Sequence, residues 1–111
     1  MQRYYLCRRD EISDRQCKEF AIKDSSPPIE LFLVQKDNQV YAYQNHCPHT
    51  GINLNWQPNQ FFDITGQLLQ CSTHGALFRI HDGLCIRGPC NGASLTPLTL
   101  SYEQHDIYLE L

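Results

Sequence analysis

Residues 45–51 read Asn-His-Cys-Pro-His-Thr-Gly, and residues 70–75 read Gln-Cys-Ser-Thr-His-Gly. The first segment has the spacing C-x-H and the second has C-x-x-H, with 21 residues between His49 and Cys71. Taken singly, a cysteine is usually a small buried side chain, and a loop histidine is usually solvated. Two thiolates and two imidazoles supplied by two matched loops are instead typical of a metal site.

The residues that follow the second segment extend this pattern. A glycine comes one or two residues after each candidate histidine, where it can adopt backbone conformations that other residues resist. Then come Phe78, the turn Asp82-Gly83 and the pair Gly88-Pro89. This ordered set, at about residues 45–90, resembles the Rieske family, in which two histidines replace two cysteines on one iron of a [2Fe–2S] cluster.

The resemblance implies a ligand set, a cofactor and a role. Cys47 and Cys71 would hold the inner iron of one [2Fe–2S] cluster, and His49 and His74 would hold the outer iron. The loop at Gly88-Pro89 would fold over the cluster and shield it. We expect an electron carrier with no catalytic residue, because the motif is not accompanied by a mononuclear iron triad (two histidines and a carboxylate) on an additional domain.

Three functions are open at this level. The leading one is a ferredoxin that passes single electrons from a flavin reductase to a terminal oxygenase. The second is the small Rieske subunit of a larger oxidoreductase such as nitrite reductase, where it would be a fixed relay. The third is a zinc-stabilised interaction module, since the same Cys₂His₂ set can close a tetrahedral site. The Gly-Pro loop favours the cluster, because nothing in a zinc site needs it.

Four positions bear on the reduction potential. In the family pattern, high-potential members have a disulfide between the ligand loops and two hydroxyl donors to cluster sulfurs. The corresponding residues here are Ile52 and Thr73 for the disulfide, and Ala76 and Phe78 for the hydroxyls. Fewer donors stabilise the added negative charge less. We therefore expect the low end of the Rieske range, about −150 to 0 mV.

Length and charge exclude several classes of function. The chain has 111 residues, with 9 Lys plus Arg against 12 Asp plus Glu and a net charge of −3. We expect one domain over residues 1–111. The net negative charge provides no excess of basic residues for binding nucleic acid. No apolar run approaches the roughly 20 residues of a membrane helix, and Arg8-Arg9 precedes acidic residues rather than an apolar export signal. The expected protein is a cytoplasmic monomer with redox-protein partners and no membrane contact.

Six cysteines in a short chain can also indicate a disulfide framework. Two of them belong to the candidate ligand set, which leaves Cys7, Cys17, Cys85 and Cys90. In a reducing cytoplasm the default state of these four is the thiol. A bridge between Cys85 and Cys90 stays open as an alternative, beside a packed or partly exposed thiol.

Short β-prone segments separated by turn residues occupy the rest of the chain. Alternation and strand-length apolar runs predict strands at residues 3–7, 18–22, 29–35, 40–44, 62–64, 67–70, 77–80, 84–86, 98–102 and 107–111. No stretch has a helical period, so the expected fold class is all-β. The resemblance implies a Rieske antiparallel β sandwich with a small cluster-binding subdomain at about residues 45–90.

Overall fold

Three small antiparallel sheets of three strands each form the framework of this protein. The computed structural model describes residues 2–14, 16–25, 27–48, 53–55, 57, 59–72, 75–89 and 91–111. These residues contain nine β-strands, one 3₁₀ turn at Arg9–Glu11 and no α-helix, so the all-β prediction is confirmed. None of the described residues belongs to a helix with the length and apolarity that a membrane crossing requires.

The sheets are named here by their place in the fold. The strands are β1 (Arg3–Arg8), β2 (Gln16–Ile22), β3 (Ile29–Lys36), β4 (Gln39–Gln44), β5 (Leu68–Gln70), β6 (Leu77–Arg79), β7 (Cys85–Arg87), β8 (Thr99–Glu103) and β9 (Asp106–Glu110). In hydrogen-bonded order, β1-β9-β8 is the terminal sheet, β2-β3-β4 is the central sheet, and β5-β6-β7 is the distal sheet. Each candidate cysteine ligand follows directly or closely after a strand, β4 for the first and β5 for the second.

The central sheet lies between two hydrophobic cores. Residues 31–34 of β3 are all fully buried. Because successive side chains of a strand face opposite sides of the sheet, these four residues divide between the cores. Leu31 and Leu33 belong to a basal core shared with the terminal sheet. Phe32 and Val34 belong to a distal core shared with the distal sheet and with both candidate ligand segments. The central sheet therefore has no solvent-facing side along residues 31–34 of β3.

The predicted strand at residues 62–64 does not form. Phe62 makes only an isolated bridge with Leu69, and the Ile64 side chain is fully exposed. The Asp63 carboxylate accounts for this difference, because its Oδ1 accepts hydrogen bonds from the Thr65 hydroxyl at 2.8 Å and from the Leu68 N–H at 3.2 Å. These local bonds favour a turn over an extended strand.

The turn between β6 and β7 is held against the central sheet by Tyr43. The Tyr43 hydroxyl donates to the Ile80 carbonyl, and burial raises the pKa of that hydroxyl well above its ordinary value. Gly83, in the same turn, has φ +73°, and a Cβ built there would lie 2.8 Å from Cε1 of the Tyr43 ring. The distal hairpin thus approaches the ring more closely than a side chain at position 83 would allow.

Replacing Gly83 by alanine is expected to lower the free energy of unfolding by about 2–4 kcal/mol. The change adds backbone strain at a positive φ and forces the new methyl group into the Tyr43 ring. Gly66 is the matched control, because its φ is +74° and a Cβ there meets nothing within 4 Å. Urea denaturation should show a loss of only about 1 kcal/mol for Gly66→Ala. Equal losses in the two variants would contradict the assigned packing.

Candidate metal centre

The first candidate segment leaves β4 and enters the distal core. The Asn45 N–H donates to the Glu30 carbonyl at 2.8 Å, and the His46 N–H donates to the Gln44 carbonyl at 2.9 Å. Cys47 is only 2 % exposed and packs in the distal core. Its neighbour His46 is exposed. The backbone therefore buries the thiol of this segment while leaving the residue before it in contact with solvent.

The second candidate segment is a tight loop between β5 and β6. The Cys71 N–H donates to the Ala76 carbonyl at 2.9 Å, and the Gly75 N–H donates to the Cys71 carbonyl at 3.1 Å. Gly75 has φ +69°, which confirms the need for glycine at this position. Cys71 is 1 % exposed and packs in the same distal core as the first cysteine.

A single buried residue connects the two loops through its backbone. The Leu54 N–H donates to Oδ1 of Asn45 at 2.8 Å, and the Leu54 carbonyl accepts from the Ser72 N–H at 2.8 Å. The structure therefore brings the loops of Cys47 and Cys71 together, as the sequence predicts. The other two candidate ligands, His49 and His74, lie outside the described residues.

The Gly88-Pro89 segment packs on the second loop. Gly88 has φ +107°, and a Cβ built on it would lie 2.8 Å from Cα of Ala76 and 3.1 Å from its Cβ. Ala76 itself is almost fully buried. The backbone at residue 88 therefore covers the base of the second loop. That this segment also shields a cluster stays an implication of the family resemblance.

Three described cysteines are not candidate ligands. Burial raises the pKa of the Cys17 thiol to about 12 and raises that of Cys7 from its ordinary value. Neither takes part in a disulfide, so both are protonated, unreactive core thiols at neutral pH. Cys85 is buried on β7, and its suggested partner Cys90 lies outside the described residues.

The two described candidate cysteines suit a metal centre with sulfur ligands. Two buried thiols lie in adjoining loops and share one apolar core, which is an environment that suits iron–sulfur ligation rather than a hydrated cation. Within the described ranges no three Cys, His, Asp or Glu residues form a metal-binding group; the two candidate histidines lie outside those ranges. No hydroxyl is present at positions 76 and 78, where Ala76 and Phe78 are both buried.

Sequence reasoning missed two residues of this site. Asn45 precedes the first motif and is buried to 5 % exposure, although asparagine is mostly a surface residue. Leu54 lies in the asparagine-rich stretch between the motifs and is fully buried. An asparagine directly before a cysteine–histidine motif is a weak signal by itself, because loops contain many asparagines that serve only as turn residues.

Comparison with known proteins agrees with this geometry. The family model described as Rieske [2Fe-2S] domain matches residues 2–103. No curated protein matches the chain. One similar structure is a chain of the complex of reduced oxygenase and oxidized ferredoxin in carbazole 1,9a-dioxygenase, with a TM-score of 0.75 and 17 % identity over 96 % of this chain and 91 % of that one.

Two further structures contain the same fold within longer chains. A chain of the reduced complex between oxygenase and ferredoxin in carbazole 1,9a-dioxygenase matches with a TM-score of 0.79 and 16 % identity, over 97 % of this chain and 28 % of that one. The terminal oxygenase of carbazole 1,9a-dioxygenase from Novosphingobium sp. KA1 matches with a TM-score of 0.76 and 16 % identity, over 97 % and 29 %. This chain spans less than a third of their length, and at such identities the likeness concerns the fold.

Proposed function

This chain belongs to the Rieske [2Fe–2S] domain family, and we propose that it delivers electrons to an oxygenase with Cys47, His49, Cys71 and His74 as the cluster ligands. Family membership establishes one [2Fe–2S] cluster as the cofactor and one-electron transfer as the role. The chain is accordingly an electron carrier within an oxidoreductase system rather than a catalytic subunit. A zinc-stabilised module is not supported.

The placement of the two thiols is the observation that carries the ligand assignment. Cys47 and Cys71 are both almost fully buried and share the distal core. Thiolates suit the inner iron, and neutral imidazoles suit the outer iron of a Rieske centre. We propose residues 45–90 as the cluster-binding subdomain of a single domain that spans residues 1–111.

The described residues protect the sulfur side of the proposed site from water. Leu54, Phe61 and Phe78 are fully buried or nearly so in the core that contains both thiols. An apolar surrounding limits solvent access and thereby tunes the potential of a metal centre. When bound, the cluster supplies reversible one-electron chemistry. The three buried side chains exclude water from its surroundings.

The proposed partner surface combines small apolar groups beside the ligand loops. Pro48 and Pro89 are exposed, and Ile86 on β7 is 42 % exposed. Redox proteins form small, transient interfaces, below about 1,200 Å², so a limited patch is sufficient. The similar structures include complexes of a ferredoxin with an oxygenase, which supports an oxygenase as the acceptor. The donor that we propose is a flavin reductase, as the leading interpretation of the sequence has it.

The test of this function has two parts. The aerobically purified protein should be red-brown and contain two irons and two acid-labile sulfides per chain, as one [2Fe–2S] cluster requires. A tagged chain isolated from its native cells should then elute as a monomer and exchange electrons with a separate oxygenase. Co-purification with one large subunit in a fixed ratio would instead identify a permanent relay of a larger oxidoreductase, such as a nitrite reductase.

We propose a cytoplasmic location from the state of two core cysteines. Cys7 and Cys17 are buried and form no disulfide, which is the usual state of thiols in a reducing compartment. Cell fractionation tests this location, and recovery of the chain in an exported fraction would contradict it.

The reduction potential is expected to lie at about −150 to 0 mV. The buried Ala76 and Phe78 offer no hydroxyl to a cluster sulfur, so the added electron is stabilised less than in a site with such donors. Potentiometric titration followed by absorbance measures this value directly. A potential above about +200 mV would contradict the assignment.

A further inference from the structure

One buried amide side chain joins the two ligand loops. Asn45 is 5 % exposed, and its Oδ1 accepts the Leu54 N–H at 2.8 Å. The carbonyl of the same Leu54 accepts the Ser72 N–H at 2.8 Å, one residue after Cys71. A continuous path of two hydrogen bonds therefore runs from the residue two positions before Cys47 to the residue directly after the second cysteine.

The orientation of this amide is set by its other contacts. Nδ2 of Asn45 donates to Oδ1 of Asn55 at 2.9 Å. The Asn55 amide in turn donates to Oε2 of Glu19 at 2.7 Å and to the Gln57 carbonyl at 2.9 Å. Because the Asn45 nitrogen already has an acceptor, its oxygen must face the Leu54 N–H. The side chain cannot rotate without losing both bonds.

The backbone of the same residue is anchored to the central sheet. The Asn45 N–H donates to the carbonyl of Glu30 on β3, and the Asn55 amide contacts the side chain of Glu19 on β2. The connection between the loops is therefore built on the rigid part of the fold rather than on a free loop. Such support is what holds ligands at fixed positions around a metal centre.

We propose that Asn45 is a positioning residue that fixes the spacing of the two ligand loops through the backbone of Leu54. The inference rests on the proposed ligand set. Only an amide meets both demands of this position, because the site needs an acceptor for the Leu54 N–H and a donor for Asn55. Alanine would leave the Leu54 N–H buried without a partner, and aspartate would retain the acceptor alone.

The test compares four variants as holoproteins. Asn45→Ala should release iron to a chelator about tenfold faster than the wild type, as expected from leaving one buried donor unsatisfied. It should also shift the g-values of the reduced cluster in EPR, because those values report the ligand geometry. Asn45→Asp retains the acceptor for the Leu54 N–H but places a carboxylate oxygen against Oδ1 of Asn55. It should therefore keep wild-type g-values, while its melting temperature falls and its iron release is slower than that of Asn45→Ala.

Two controls separate positioning from a general loss of stability. Asn53→Ala removes a surface bond from Nδ2 to Oε2 of Glu30, within the same stretch as Leu54, and should leave g-values and iron release unchanged. Ile107→Val weakens the basal core, so it should lower the melting temperature without moving the g-values. Relative to the stability that each variant loses, Asn45→Ala must accelerate iron release more than Ile107→Val does.

The outcomes distinguish this proposal from the one on which it rests. If the wild-type protein contains no iron, or gives no EPR signal when reduced, the proposed ligand set is wrong. The proposed role of Asn45 then fails with it. A wild type with that signal, together with an Asn45→Ala variant that keeps wild-type g-values and iron release, overturns the positioning role alone. If Asn45→Ala does not accumulate folded, the EPR spectrum of Asn45→Asp decides, and shifted g-values in that variant contradict the proposal.

Discussion

A Cys71→Ala variant is expected to purify colourless, with iron and acid-labile sulfide at background. Cys71 is 1 % exposed in the distal core, so no water or external thiol can readily replace its sulfur. Loss of one of two thiolates also leaves the inner iron without the negative charge that it requires. Since metal binding is coupled to folding, the melting temperature should fall together with the iron content.

The matched control for this result is Cys17→Ala. Cys17 lies in the same distal core and is also buried, but it is a protonated core thiol and not a proposed ligand. Its replacement should lower stability by about 1 kcal/mol and leave the visible spectrum unchanged. Iron analysis and absorbance of both variants check the assignment, which fails if Cys71→Ala keeps its iron or if Cys17→Ala loses it.

A Gly88→Ala variant is expected to lose its cluster in air faster than the wild type and to be less stable by about 2–4 kcal/mol. The new Cβ would lie 2.8 Å from Cα of Ala76. That neighbour is backbone and cannot rotate away, so the Gly88-Pro89 segment must move off the second loop. Water then gains access to the loop that contains Cys71, and bleaching of the visible absorbance follows this exposure over time.

Gly92→Ala supplies the matched control for the covering segment. Gly92 has φ +94°, but a Cβ on it meets nothing within 4 Å. The substitution therefore adds conformational strain of about 1–3 kcal/mol and no contact with the second loop. Bleaching should proceed at the wild-type rate. Similar bleaching of the two variants would show that strain, and not displacement of the segment, controls access to the site.

Several features of the fold could be predicted from local patterns. The alternation in residues 98–111 predicts two strands, and the structure has β8 and β9 there, with a turn at Gln104 and His105. The pair Asp37-Asn38 adopts positive φ values of 54° and 65°, which allows the tight turn between β3 and β4. Local backbone preferences decide such features, so a short window of sequence contains the necessary information.

Other features depend on contacts between distant residues. Residues 62–64 have the composition of a strand, yet the Asp63 carboxylate stabilises a turn instead. The role of Asn45 depends on a partner nine residues away that is buried only after both loops pack together. Periodicity cannot reveal such a bond, because it follows from the three-dimensional position of the two loops and not from spacing.

The amino-acid sequence by itself determined the chemistry of this protein: the types and spacing of its candidate ligands, the missing hydroxyls at positions 76 and 78, and the all-β class. These properties follow from residue identity and short-range periodicity. The tertiary structure alone decided that one sheet separates two cores, that Cys47 and Cys71 share one of them, and that Asn45 joins their loops through Leu54. Burial and long-range hydrogen bonds arise only when segments far apart in the chain pack together, so no local pattern specifies them.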